Sequence, residues 1–230
     1  MFAGYDGGEI SGHLTLPAGR ELPAPVVIIP RAAPSRLDVM DPHYLVQFLA
    51  ANGYAVLRVN QRGPAEYGGN WSLDKVVVGS GRAAEDLQAA TDFLVEQGIA
   101  TRGNVCGAGR DVAAYTVLTT AISIPQLFEC IVSIGGYTDP RAFSASMPRS
   151  VYTMLEEASP VQRAEELGPA VLLIDDRAAQ QSESLEDALT RADKDVTFVE
   201  YVRARREFDQ KPYRIDMLTR VDQFLARHLE

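Results

Sequence analysis

Cysteine occurs only at Cys106 and Cys130 in 230 residues, and histidine only at His13, His43 and His228. Neither residue type shows the paired spacing of a zinc cluster, and two cysteines inside apolar runs make no disulfide framework, so both read as buried thiols and no metal is expected. No apolar run approaches the roughly 18 residues a membrane span needs, and the first eight residues lack the basic-then-apolar order of a secretory signal. The expectation is therefore a soluble, cytoplasmic chain without a membrane partner. Basic residues are outnumbered 22 to 31, a formal charge of -9, which argues against nucleic acid as the main partner. Gly107 and Gly109 are not followed by the third glycine of a dinucleotide-binding turn, so no nucleotide and no other cofactor is expected.

What is present fits one domain over residues 1–230: 46% hydrophobic and 23% charged residues suffice for a single buried core. Short apolar runs alternate with segments of helical spacing. Ser11–Leu16, Pro25–Pro30, Tyr54–Asn60, Asn104–Gly109, Cys130–Ile134, Val171–Ile174 and Val196–Val202 read as strands. Helices are expected over Pro42–Asn52, with Asp41 as N-cap, then Arg82–Gly98, Asp111–Ile122, Val161–Leu167, Glu183–Ala192 and Pro212–Leu229. Gln61–Gly81 and Tyr137–Ser159 read as long loops. Repeated strand and helix alternation calls for a mostly parallel central sheet with helices on both faces, an α/β architecture.

Several segments carry a resemblance beyond this alternation. Gly12-His13-Leu14-Thr15-Leu16-Pro17 forms an opening strand. Gln47 through Leu57 is followed by Asn60-Gln61-Arg62-Gly63 and Tyr67-Gly68. Glu85-Asp86-Leu87, Leu127-Phe128-Glu129-Cys130, Ser159-Pro160 and Pro169 through Ile174 follow in order. Together these resemble the catalytic domain of the prolyl oligopeptidase family, which implies the α/β-hydrolase fold. The resemblance also implies a serine hydrolase or peptidase built on a nucleophile, a histidine base and an orienting acid.

The positions that the resemblance assigns to that chemistry hold other residues. The segment Gly109-Arg110-Asp111-Val112-Ala113-Ala114-Tyr115 places Asp111 where the serine belongs, and no G-x-S-x-G pentapeptide occurs in the chain. Ala113 and Ala114 stand where glycines are usual, which predicts a less sharp elbow. Arg205-Arg206-Glu207-Phe208 occupies the histidine loop with Arg206 in the base's place, and a guanidinium holds its proton at any ordinary pH. The acid loop is shortened, leaving Asp175 or Asp176 as its remnant. Arg31-Ala32-Ala33-Pro34 replaces the turn after the central strand. The histidines read as structural: His13 in an edge strand, His43 and His228 as solvated helix residues.

A catalytic triad acts as a unit, so these substitutions predict a silent homologue that binds, regulates or scaffolds. The alternative is a peptide or ester hydrolase that uses Asp111 itself or another constellation, since some α/β-hydrolases place an aspartate at this elbow. Arg31, Arg110 and Arg206 converge in sequence on Asp111, and an isolated carboxylate in a cleft calls for a cation. The expectation is an ion pair from Asp111 to Arg206 or to Arg31 that plugs the cleft. Surplus guanidinium charge there would instead receive a small anionic ligand, with Trp71 stacking at the mouth. A protein is the other partner expected, and a homo-oligomer through a sheet edge or the terminal helix, supplying missing groups in trans, is a further expectation.

Overall fold

The β-branched and aliphatic run Val26–Ile29 has no polar face, so it is stable only with helices packed on both sides of its sheet. In the computed structural model, which describes residues 1–31, 43–61, 80–139, 153, 156–175, 180–201 and 210–230, it is the third of eight strands. They are β1 (Phe2–Ala3), β2 (Glu9–Thr15), β3 (Val26–Pro30), β4 (Ala55–Asn60), β5 (Val105–Arg110), β6 (Cys130–Ile134), β7 (Ala170–Asp175) and β8 (Val196–Glu200). Their order across the sheet is β1-β2-β4-β3-β5-β6-β7-β8. β1, β2 and β4 pair antiparallel, and from β4 to β8 every pairing is parallel.

Among the described residues, helices α1 (Tyr44–Ala51), α2 (Ser80–Glu96), α3 (Val112–Ser123), α4 (Gln180–Arg191) and α5 (Lys211–His228) connect or flank these strands. Leu87, Leu94, Val117, Leu118, Leu185 and Leu189 bury one face of the sheet under α2, α3 and α4. Leu49, Met217, Val221 and Leu225 bury the other under α1 and α5. Each fully buried aliphatic side chain contributes about 1.5–3 kcal/mol, so the two layers supply most of the driving force. The chain is thus an α/β protein with helices on both faces, as its alternation requires.

Three local expectations need correction. The N-cap position of α1 falls at His43, with φ -98° and ψ 116° and no side-chain cap hydrogen bond, and not at Asp41, which with Pro42 lies outside the described residues. The segment Val161–Leu167 forms only a 3-10 turn at Ala164–Glu166. Cys106 and Cys130 are not separate thiols: β5 and β6 run in a register that sets them directly opposite each other, and their sulfurs are bonded with the Cα atoms 4.7 Å apart. The spacing of 24 residues gave no hint, because a parallel neighbour is reached only after a whole crossover helix.

Candidate functional site at the strand-to-helix elbow

All six parallel strands end at the same edge of the sheet, and the change from β5 to α3 happens there within one residue. Asp111 has φ 53° and ψ -116°, a conformation that L-residues seldom adopt. Its N–H donates to the Ile134 carbonyl at 3.2 Å, and its own carbonyl accepts from Tyr115 N at 3.3 Å. These contacts hold the strained turn between the end of β6 and the first turn of α3.

The turn is therefore sharp, contrary to the expectation drawn from Ala113 and Ala114. Both alanines are buried, and room for them comes from two glycines. A β-carbon at Gly109 would meet Ala113 and Ala114 backbone atoms at 2.4–2.6 Å, and one at Gly136 would lie 2.5 Å from both the Ala114 methyl and the Ser133 hydroxyl. Close approach has moved from the helix side of the elbow to the strand side and to the loop after β6.

The Asp111 side chain is 32% exposed, and Arg110 Nε stands 4.0 Å from its Oδ2. Asp111 also sits at the N-terminus of α3, where a negative charge meets the positive end of the helix dipole. Arg31 is buried at the end of β3 and grips Gln61 at the end of the neighbouring β4. Its N–H donates to Gln61 Oε1 at 2.7 Å, its Nη2 donates to the Gln61 carbonyl at 2.9 Å, and Gln61 Nε2 returns a bond to the Arg31 carbonyl at 3.2 Å. Asp175 ends β7 at this edge and is buried. Arg206, Asp176 and Trp71, with the expected Asp111–Arg206 pair, lie outside the described residues.

Two glutamines complete the frame, and neither was singled out from the sequence for this role. Gln61 lies in the quoted Asn60-Gln61-Arg62-Gly63 segment. Gln181 Oε1 accepts from the N–H groups of Thr138 and Asp139 at 3.0 and 3.3 Å, and the Thr138 hydroxyl donates to the Gln181 carbonyl at 2.6 Å. The loop beside Asp111 is thereby fixed to the start of α4. Behind it, burial pushes the Tyr115 phenol well above its ordinary pKa, and its hydroxyl donates to the Ala158 carbonyl at 3.1 Å.

The imidazoles stand elsewhere. His13 lies in β2 opposite Arg58, and His43 stacks on Tyr44 at the start of α1. His228 Nε2 is 3.9 Å from Asp195 Oδ2, where β8 begins, at the opposite edge of the sheet. Among the described residues no cluster of metal-ligating side chains occurs. A cleft of about 680 Å³ beside Arg102, Gln126 and Glu129 also lies at that opposite edge. No described helix is long and apolar enough to cross a membrane.

An eight-stranded, mostly parallel sheet with a single-residue elbow after its central strand defines an α/β-hydrolase fold. The model of the prolyl oligopeptidase family matches residues 42–230, and the chain belongs to that family. Dipeptidyl aminopeptidase BIII of Pseudoxanthomonas mexicana is 29% identical over 154 residues, which cover 64% of this chain and 22% of that protein. A puromycin-hydrolyzing peptidase of Mycobacterium tuberculosis superposes with a TM-score of 0.81 at 20% identity, over 99% of this chain and 38% of the other. The acylaminoacyl peptidase of Pyrococcus horikoshii superposes with a TM-score of 0.77 at 21% identity, over 99% and 41%. The chain spans between about a fifth and two fifths of the length of these proteins.

Proposed function

We propose that this chain is a catalytically silent member of the prolyl oligopeptidase family that works as a binding, regulatory or scaffolding module. The observation that supports this reading most is Asp111 in the elbow conformation, at the position where the resemblance calls for a serine. A carboxylate in that position has no hydroxyl to deprotonate, and an arginine at 206 has no basic nitrogen to offer. Ligand and partner follow from charge: Arg31, Arg110 and Arg206 suit a small anionic ligand or an acidic segment of a protein, and Trp71 would stack on it. Homo-oligomerisation is a further arrangement of the same module.

A second reading is favoured by the retained elbow. In that reading the Asp111 carboxylate would attack an ester or peptide carbonyl from the N-terminus of α3, where the helix dipole stabilises developing negative charge. That reading requires a base to activate the water that clears the acyl-enzyme. Exposure to a fluorophosphonate probe and to activated esters, beside a serine-bearing relative, separates the two: the silent module is unlabelled and turns nothing over. Turnover that disappears in Asp111→Ala would establish the second reading.

A further inference from the structure

The disulfide ties β5 to β6 near the start of both strands, at the other end of β5 from the elbow. Cys106 is in β5, five residues before Asp111, and Cys130 is in β6, four before Ile134, whose carbonyl holds the Asp111 N–H. The two strands stay in one register from Cys106↔Cys130 to Arg110↔Ile134. That register decides which carbonyl meets the elbow. Both cysteines are fully buried on the face that α1 and α5 cover. A Cα separation of 4.7 Å falls within the span that a disulfide bridges without moving the backbone.

We propose that the Cys106–Cys130 bond is a covalent lock on the β5–β6 register that holds the strained Asp111 turn, closed by disulfide exchange in an oxidising compartment and not in the cytoplasm. The oxidant is a small or protein disulfide of the glutathione disulfide class. One cysteine thiolate attacks it and releases a first glutathione thiolate; the second cysteine thiolate attacks the mixed disulfide and releases another. Two cysteine thiols and one glutathione disulfide thus become one buried disulfide and two glutathione thiols. Neither sulfur is accessible once α1 and α5 are packed, so exchange occurs before that face closes, and the finished bond is shielded from reductant. Persistent disulfides of this kind belong to oxidising surroundings. The lock is independent of whether Asp111 catalyses anything.

The test uses the full chain, refolded either with glutathione disulfide or with reduced glutathione, then unfolded without reductant in iodoacetamide and weighed. The chain refolded with glutathione disulfide is expected to carry no alkyl group and to weigh two hydrogens less than the unalkylated reduced chain, whereas the sample refolded with reduced glutathione carries two alkyl groups. Two alkylated thiols in that sample would overturn the proposal. Hydrogen exchange is then compared between the oxidised chain, the reduced wild type and Cys106→Ala/Cys130→Ala. Amides of Asp111, Ile134 and Gly135 are expected to exchange on the order of a hundredfold faster in both unlocked forms. Equal exchange in oxidised and reduced wild type would overturn the lock even if the bond forms, and that comparison stands should the double variant fail to fold.

Discussion

A β-carbon on Gly109 would stand 2.4 Å from the carbonyl carbon of Ala113, so the last turn of β5 and the first turn of α3 touch with no space for a side chain. Gly109→Ala must push the helix off the strand. The expected loss is roughly 1–3 kcal/mol of stability, read from a chemical denaturation midpoint. An unchanged midpoint would mean that the elbow is looser than described.

Asp111 bears the strain that this contact imposes, and glycine at 111 would relieve it. Strained backbone of this kind costs about 1–3 kcal/mol, whereas glycine's extra freedom in the unfolded chain returns about 0.5–1 kcal/mol of it. Both variants lose the Arg110 contact, but alanine keeps the strain, so Asp111→Gly is expected to be more stable than Asp111→Ala by roughly 1 kcal/mol. Thermal denaturation of the two variants side by side measures the difference.

Gln181 secures the loop next to the elbow by accepting two backbone N–H groups, one of them from fully buried Thr138. Gln181→Ala strands those donors. The expected cost is about 1–3 kcal/mol, together with faster amide exchange at Thr138 and Asp139. Gln181→Glu keeps an acceptor at the same reach and is expected to recover most of the loss.

Alkaline stability follows from the tyrosines. Burial first, then the Asp92 hydrogen bond, pushes Tyr5 up to about 12, and burial with the Asp222 charge pushes Tyr54 up to about 12. Tyr115 and Tyr201 are raised as well, Tyr115 by burial and Tyr201 by burial together with its hydrogen bond to Asp216. A pKa raised in the fold contributes stability that is complete below the unfolded value near 10 and is lost as pH climbs through the folded value. Unfolding and tyrosinate absorbance are thus expected to rise together between about pH 10 and 12. Substituting Tyr54 with Phe should weaken that dependence.

The sheet was legible because its strands are buried on both faces and read as continuous aliphatic runs; Cys130–Ile134 has the bounds expected from sequence. β1 was missed, since Phe2–Ala3 is too short to show a period and is held by pairing with β2 and by Phe2 stacking on Phe93. Asp111 at the elbow followed from the family resemblance, but the sharpness of the turn did not. Ala113 and Ala114 argue against it in isolation, and the space they need is supplied by Gly136, more than twenty residues further on. The disulfide was invisible for the same reason, because register between parallel strands is a tertiary fact. Arg31 attracted notice as a charge at the turn that the resemblance aligns with the family's site, and what its side chain does depends on Gln61, which only the pairing of β3 with β4 brings near.

Silence of the elbow is tested most directly by turnover of activated esters by the purified chain, with a serine-bearing relative and Asp111→Ala run in parallel. The expected result is a rate equal to buffer for both the chain and its variant, while the relative hydrolyses the esters and takes up the fluorophosphonate label. Hydrolysis by the chain that vanishes on replacing Asp111 would contradict the account and make this carboxylate a nucleophile.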